Sequence, residues 1–282
     1  MRVAVLGSSG GMGRLFSRYF LSKGMAVVGF DPVKSGLRSP NFEEAGSYRE
    51  AVRGADVVLV ATPVDRTVKT VEEVAPVLSP QTCVVEIASV KGTVLAPLKA
   101  LVARRRARLL SLHPLFGPSL GLRSRMKLCV VKTDPGSLAR ARSLFPDATL
   151  IPMSLAEHER QMAVILSLTH TLNLAYAGAV DRFLTPSQFR NVQTPTSGVQ
   201  LTLAEGVLSQ NPSLYSYIQI ENERSSEAIE ALADEIAELR RMVKAKDRSG
   251  FERHFRRLAK RFAGDSETAV DRIYQAFEKS TP

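Results

Sequence analysis

Val3-Ala-Val-Leu-Gly-Ser-Ser-Gly-Gly-Met-Gly13 decides the fold. Its four leading apolar residues read as a short buried strand. Gly7, Gly10 and Gly13 then mark a tight turn that opens a helix over 12–22. A strand running into a glycine-rich helix start is the pattern of a dinucleotide-binding turn. Small residues let the backbone approach a pyrophosphate, and the first helical amides face its charge. The usual spacing is G-x-G-x-x-G. Gly10 and Gly13 match its second and third glycines, but its first falls on Ser8, with Gly7 one residue earlier. Asp31 closes the next apolar run, about 20 residues on, where such folds place a carboxylate on the ribose hydroxyls. A plain turn residue before Pro32 is the alternative for Asp31. An acid there repels a 2′-phosphate, although Lys34 and Arg38 lie close by, so NAD is expected rather than NADP. The expected cradle is Gly7, Ser8, Ser9, Gly10, Gly11, Met12, Gly13 and Asp31. Thr62-Pro63 ends the apolar run 57–61; it lies either along the nicotinamide half of the cofactor or in a simple strand-to-helix turn.

Working outward, apolar runs recur at 3–6, 26–30, 57–61, 83–87, 109–112, 128–131 and 148–151. Helical patterns fall between several of them, at 12–22, 67–78, 95–104 and 137–145. Strands alternating with helices predict a Rossmann-like, doubly wound parallel sheet. After Pro152 the strand runs stop. A long helical pattern spans 156–183, Pro186, Pro195 and Pro212 each mark a helix start, and further helices are expected over 224–246, 250–262 and 266–278. Ser154, with Glu157 three residues on, fits a capping box. The chain therefore divides into a dinucleotide-binding α/β domain, 1–153, and an all-α domain, 154–282. The first helix of the second domain is apolar on more than one face, which implies a homodimer through the helices.

Bulk properties narrow the class. The 282 residues are 44% hydrophobic and 23% charged, a globular composition. No apolar run is read as reaching the roughly 18 residues of a membrane span. The N-terminus enters a strand directly, without the features of a signal peptide. Cys83 and Cys129 lie in apolar runs and read as buried free thiols, so a cytoplasmic location is expected. No metal-ligand spacing is present, and no metal is expected. The net charge is +10, with ten Lys or Arg between positions 240 and 261 against Asp247 and Glu252. A solvated helix face explains that stripe better than nucleic acid does.

A second informative stretch is Ser111-Leu-His-Pro-Leu-Phe-Gly-Pro118. It sets one histidine at the end of a strand in the same sheet as the glycine turn, so an imidazole and a dinucleotide share one cleft. A neutral imidazole there suits removal of a hydroxyl proton while a hydride leaves the carbon.

His113-Pro-Leu-Phe-Gly-Pro resembles the His-Pro-Met-Phe-Gly-Pro motif of prephenate dehydrogenases. Ala88-Ser-Val-Lys-Gly92 is similar to the family's Ser-Val-Lys-Gly segment, and Glu157-His-Glu-Arg-Gln-Met-Ala163 to its Glu-His-Asp-x-x-Met-Ala segment. Ser167-Leu-Thr-His170 and Ser209-Gln-Asn-Pro-Ser-Leu-Tyr215 also resemble family segments, so the likeness runs over about residues 2 to 262. It is closest to a stand-alone, archaeal-like form. It implies an NAD-dependent enzyme that oxidatively decarboxylates prephenate to 4-hydroxyphenylpyruvate in tyrosine biosynthesis. By the resemblance His113 accepts the hydroxyl proton, and Ser89 orients it beside the cofactor. His170 contacts the substrate or the nicotinamide edge, unless it is a structural helix histidine. Lys91 faces a phosphate or a substrate carboxylate, or is a plain surface lysine. His158 reads as serving the helix start.

One position departs from the family. An arginine that clamps the ring carboxylate is replaced by Gly206, and a second arginine found in some members by Gly198. Arg190, Arg182, Arg123, Arg125 or a partner subunit's residue could substitute. So could the start of the helix at Pro195, through free amides with Thr196 and Ser197. Arogenate as substrate stays open, as does a non-catalytic NAD-binding regulator with a basic partner-binding face.

Overall fold

The computed structural model describes residues 1–121, 125–262 and 266–280. The chain forms two compact units. The first comprises Met1–Gln161 and Ile220–Glu223, the second Met162–Gln219 and Arg224–Pro282. Residues 154–161, read from sequence as opening the helical domain, fall within the first unit.

The first unit is built on eight strands: β1 (Arg2–Leu6), β2 (Ala26–Phe30), β3 (Phe42–Glu44), β4 (Val57–Val60), β5 (Cys83–Glu86), β6 (Arg108–Pro114), β7 (Lys127–Val131) and β8 (Thr149–Met153). Their order is β3-β2-β1-β4-β5-β6-β7-β8. All neighbours run parallel except β6 and β7, which are antiparallel. The doubly wound parallel sheet expected from sequence is present, with this one antiparallel step. Gly117, Pro118 and Gly121 leave no room for the crossover helix that a parallel return needs. The short β3 was missed because Phe42-Glu-Glu44 carries one apolar residue and sits at the sheet edge.

Six helices flank the sheet: α1 (Gly11–Ser22), α2 (Tyr48–Val52), α3 (Val64–Val74), α4 (Gly92–Arg104), α5 (Ser137–Leu144) and α6 (Leu155–Met162). Strand order reverses at β1, so the turn after it opens at the point where such sheets bind ligands. Packing of aromatic rings fixes that turn. Phe16 and Phe20 of α1 are fully buried, and each lies 5.7 Å from the Phe145 ring. Each buried ring contributes roughly 1.5–3 kcal/mol of apolar burial. The same contacts clamp α1, and with it the glycine turn, to the sheet.

The second unit is helical. A π-helical stretch, Ala163–Leu168, continues α6 into α7 (Thr169–Val180). Then come α8 (Pro186–Val192), α9 (Pro195–Leu208), α10 (Pro212–Glu221), α11 (Ser225–Lys244), α12 (Arg248–Phe262) and α13 (Ser266–Ser280). Proline stands first in α8, α9 and α10, where its missing N–H is not needed. One helix is longer and more apolar than the runs read from sequence. The continuous helix Leu155–Val180 is long and apolar enough, by length and composition, to cross a membrane. Polar side chains punctuate it, and several bond within the unit: Ser167 to Ser225 at 2.6 Å and Asn173 to Gln200 at 3.1 Å.

Candidate active site

The glycine turn is set by close backbone contacts. Gly7 has φ +88°, and a Cβ there would lie 2.6 Å from the Ala61 carbonyl oxygen. A Cβ on Gly13 would fall 1.9 Å from the Gly7 carbonyl oxygen. Gly13→Ala should therefore open the turn, at about 1–3 kcal/mol for overpacking. We expect dinucleotide affinity, read by calorimetric titration, to drop at least about tenfold. Unchanged affinity would remove the turn from the site.

Tightness of the turn leaves the first amides of α1, at Gly11, Met12 and Gly13, without intrahelical acceptors. The Asp31 carboxylate closes over the same turn, accepting from Ser9 N at 3.4 Å and Val33 N at 3.0 Å. Thr62 Oγ1, at the end of neighbouring β4, is buried with no partner among the described residues. Ser8 is buried and Pro63 exposed. Free amides, a carboxylate at the turn and an unused hydroxyl together fit a dinucleotide.

His113 lies near the C-terminal end of β6, two strands beyond β4 on the sheet edge that carries the glycine turn. The loop that follows it reaches the turn. A Cβ on Gly11 would lie 2.7 Å from Pro118 Cβ, and the Phe116 ring stands 6.4 Å from that of Phe16 in α1. Ser89, partly exposed, follows β5 on the neighbouring strand. The ring of His113 is only 3% exposed. Its Nδ1 lies 3.0 Å from Nε2 of His158, and this is the ring's one hydrogen bond among the described residues. Burial, then the Lys91 ammonium, then His158 hold its pKa well below the usual 6.5. The ring is thus a neutral base.

Behind His113 lies a feature that sequence reasoning missed. His158 does more than start a helix: it is fully buried, and its Nδ1 lies 3.0 Å from Glu159 Oε1. Ser154 and Glu157 supply the capping box instead; Ser154 N donates to Glu157 Oε2 at 2.7 Å and Glu157 N to Ser154 Oγ at 3.2 Å. Lys91 is also corrected. It faces neither solvent nor an open anion site. Its buried Nζ donates to Glu86 Oε1 at 2.7 Å and to the Leu112 carbonyl at 2.6 Å. Glu86 further accepts from Ala88 N at 2.9 Å and from the Ser111 hydroxyl. The signal available in sequence was a glutamate closing an apolar strand, five residues before a lysine.

In the second unit His170 packs against Tyr215, ring centroids 4.4 Å apart, and burial lowers its pKa. Its Nδ1 is buried and unpartnered among the described residues. The start of α9 is capped in part by its own side chains. Thr194 Oγ1 accepts from Ser197 N at 3.3 Å, and Ser197 Oγ accepts from Thr194 N at 2.9 Å, so the helix caps itself. Thr196 is exposed on that first turn. Gly198 is buried, and a Cβ there would meet the Phe277 ring at 2.5 Å; Gly206 has open space. Arg190 of α8 pairs with Glu205, next to Gly206. Arg125 and Arg182 are exposed, and Arg123 lies outside the described residues.

Comparison with known proteins matches this layout. Residues 31–128 match the family model described as prephenate dehydrogenase, nucleotide-binding domain, and residues 154–257 the one described as prephenate dehydrogenase, dimerization domain. A curated relative from Methanocaldococcus jannaschii, named "Probable arogenate/prephenate dehydrogenase", is 26% identical; the match covers 99% of this chain and 66% of that protein, so this chain spans just under two thirds of it. A Streptomyces pristinaespiralis protein named 4-amino-4-deoxyprephenate dehydrogenase is 28% identical over 91% of this chain and 90% of its own. Among solved structures, prephenate dehydrogenase from A. aeolicus in complex with hydroxyphenyl propionate and NAD⁺ has a TM-score of 0.76 at 20% identity, covering 94% of this chain and 98% of that one. That likeness concerns the fold; the two family models, one on each side of residue 153, carry the assignment. The chain belongs to the prephenate dehydrogenase family.

Proposed function

We propose that the protein oxidatively decarboxylates prephenate to 4-hydroxyphenylpyruvate with NAD⁺. One observation carries the reading: a buried, neutral imidazole with a free Nε2 stands near the end of β6, just before a loop that touches the glycine turn. The amides of α1, with Ser8, Ser9 and Gly10, would hold the cofactor's pyrophosphate, Asp31 its ribose hydroxyls, and Thr62, Pro63 and Ser89 its nicotinamide half. When bound, NAD⁺ supplies the hydride acceptor. His113 Nε2 takes the proton of the ring hydroxyl as the carbinol C–H bond breaks. The electron pair of the bond to the ring carboxylate enters the ring, and carbon dioxide departs. Arg190, whose guanidinium stands beside Gly206, is the proposed partner of a substrate carboxylate, near where the family carries its arginine. His170 is proposed at the substrate.

We further propose a homodimer through the helical unit. Val164, Ile165, Leu172, Leu174 and Leu203 expose apolar surface there, which suits a protein partner. The relatives' names differ in substrate, so the decisive assay offers prephenate and arogenate side by side and follows NADH. Turnover of prephenate with carbon dioxide release is expected. Tight NAD⁺ binding with no NADH from either compound would overturn the reading.

Acid pH provides a second check. The depressed pKa keeps His113 unprotonated through pH 6.5, so the acid limb of kcat/KM should lie below that value. A limb above 6.5 would contradict the assignment. Stability follows the same sign. The unfolded chain takes up this proton below about pH 6.5 and the folded site resists it. The residue's contribution is complete above 6.5 and is lost as pH falls towards the folded value.

A further inference from the structure

We propose that His158 and Glu159 form a positioning and proton-holding pair behind His113, an inference that rests on His113 being the base. The argument begins at the carboxylate. Glu159 Oε1 lies 3.0 Å from His158 Nδ1 and can only accept, so His158 carries its proton on Nδ1. Its Nε2 is then a bare acceptor, 3.0 Å from His113 Nδ1, which must donate. His113 is thereby fixed as the Nδ1–H tautomer, with its lone pair on Nε2, the nitrogen left for substrate. Without the carboxylate both rings could invert, and Nε2 would carry a proton and accept nothing.

Glu159 is itself held in place. Its Oε1 also accepts from Lys91 N at 3.2 Å, and its carbonyl accepts from Asn222 Nδ2 at 3.0 Å. Its other oxygen, Oε2, is buried with no partner among the described residues, and the side chain is 13% exposed. These atoms describe a path. When Nε2 takes the hydroxyl proton, Nδ1–H passes its proton to His158 Nε2 and His158 Nδ1–H passes its own to Glu159. One proton enters at Nε2, one is held at the carboxylate, and no electrons move. Once product has left, the shift reverses: Glu159 returns its proton, His113 Nε2 gives its own to water, and both rings regain the starting tautomer. The other charged or titratable groups around His113 are Lys91 and Glu86 and, opposite on β7, Cys129. None of these lies on the path.

The test has a part that needs no variant. Nitrogen NMR of the ¹⁵N-histidine-labelled enzyme at neutral pH should show Nδ1 protonated and Nε2 bare in both His113 and His158. A proton on Nε2 of either ring overturns the proposal. Glu159→Gln can still accept from His158 but cannot take a proton. It should lower kcat at least about tenfold, short of the roughly 10⁴-fold loss seen when a catalytic imidazole is held in the wrong tautomer. KM for substrate should not change, and the acid limb of the pH profile should shift lower, because the imidazolium loses its counter-charge. Glu159→Asp should restore most of the rate. Wild-type kcat and pH limb in Glu159→Gln would overturn the pair while leaving the base standing. An inert Glu159→Asp would do the same. Full activity in a variant without the His113 imidazole would instead overturn the base.

Discussion

Replacing His113 by asparagine should lower kcat by about two to four orders of magnitude, the range for loss of a positioned general base. At 1.36 kcal/mol per decade this is about 2.7–5.4 kcal/mol of transition-state stabilisation. Asparagine is close in volume, and its amide can still donate to His158 Nε2, so the surroundings stay in place. It offers no basic nitrogen to the substrate. The glycine turn and Asp31 are untouched, so NAD⁺ affinity should match the wild type. A rate within tenfold of the wild type would show that the proton leaves by another route.

The second large effect concerns stability. Lys91→Met removes the ammonium paired with Glu86, whose side chain is fully buried. Taking one partner from a buried ion pair costs about 3–5 kcal/mol, because the remaining charge is stranded. Glu86 keeps bonds from Ala88 N and the Ser111 hydroxyl, which soften the loss without neutralising the charge. At about 2–4 °C per kcal/mol, Tm should fall by on the order of 10 °C. The double variant Glu86→Gln/Lys91→Met should recover part of it, since neither charge remains. A single variant as stable as the wild type would mean that the pair is not buried as described. Lys91 also bears on chemistry. Its ammonium bonds the carbonyl of Leu112, the residue before His113, and helps keep the imidazole neutral.

Much of the architecture was legible in the chain because most strands are short apolar runs, many of them rich in Val and Leu. The run at 26–30 coincides with β2, and the three prolines each open a helix. What escaped reading has a common cause: it depends on pairing across the fold. The antiparallel β7 shows the same apolar pattern as a parallel strand. Leu155–Val180 mixes enough polar residues to hide a membrane-length run. The cofactor turn was legible because phosphate binding leaves a local signature, glycines at fixed spacing. His113 was legible through its motif. His158 and Lys91 were not, because a histidine on a helix and a lysine before one look like surface residues. Only the 45 positions between His113 and His158, folded back on each other, show that the second imidazole supports the first. Gly206 remains the clearest local departure, and Arg190 reaches its neighbour Glu205 from a different helix.

The central claim is that Nε2 of His113 meets the substrate hydroxyl beside the bound cofactor. A crystal structure of the protein with NAD⁺ and a 4-hydroxyphenyl carboxylate measures this directly. The account predicts the ligand's phenolic oxygen within about 2.6–3.2 Å of Nε2, with the cofactor pyrophosphate on the amides of Gly11, Met12 and Gly13. A ligand oxygen bound elsewhere, with His113 Nε2 turned from the cofactor, would contradict it.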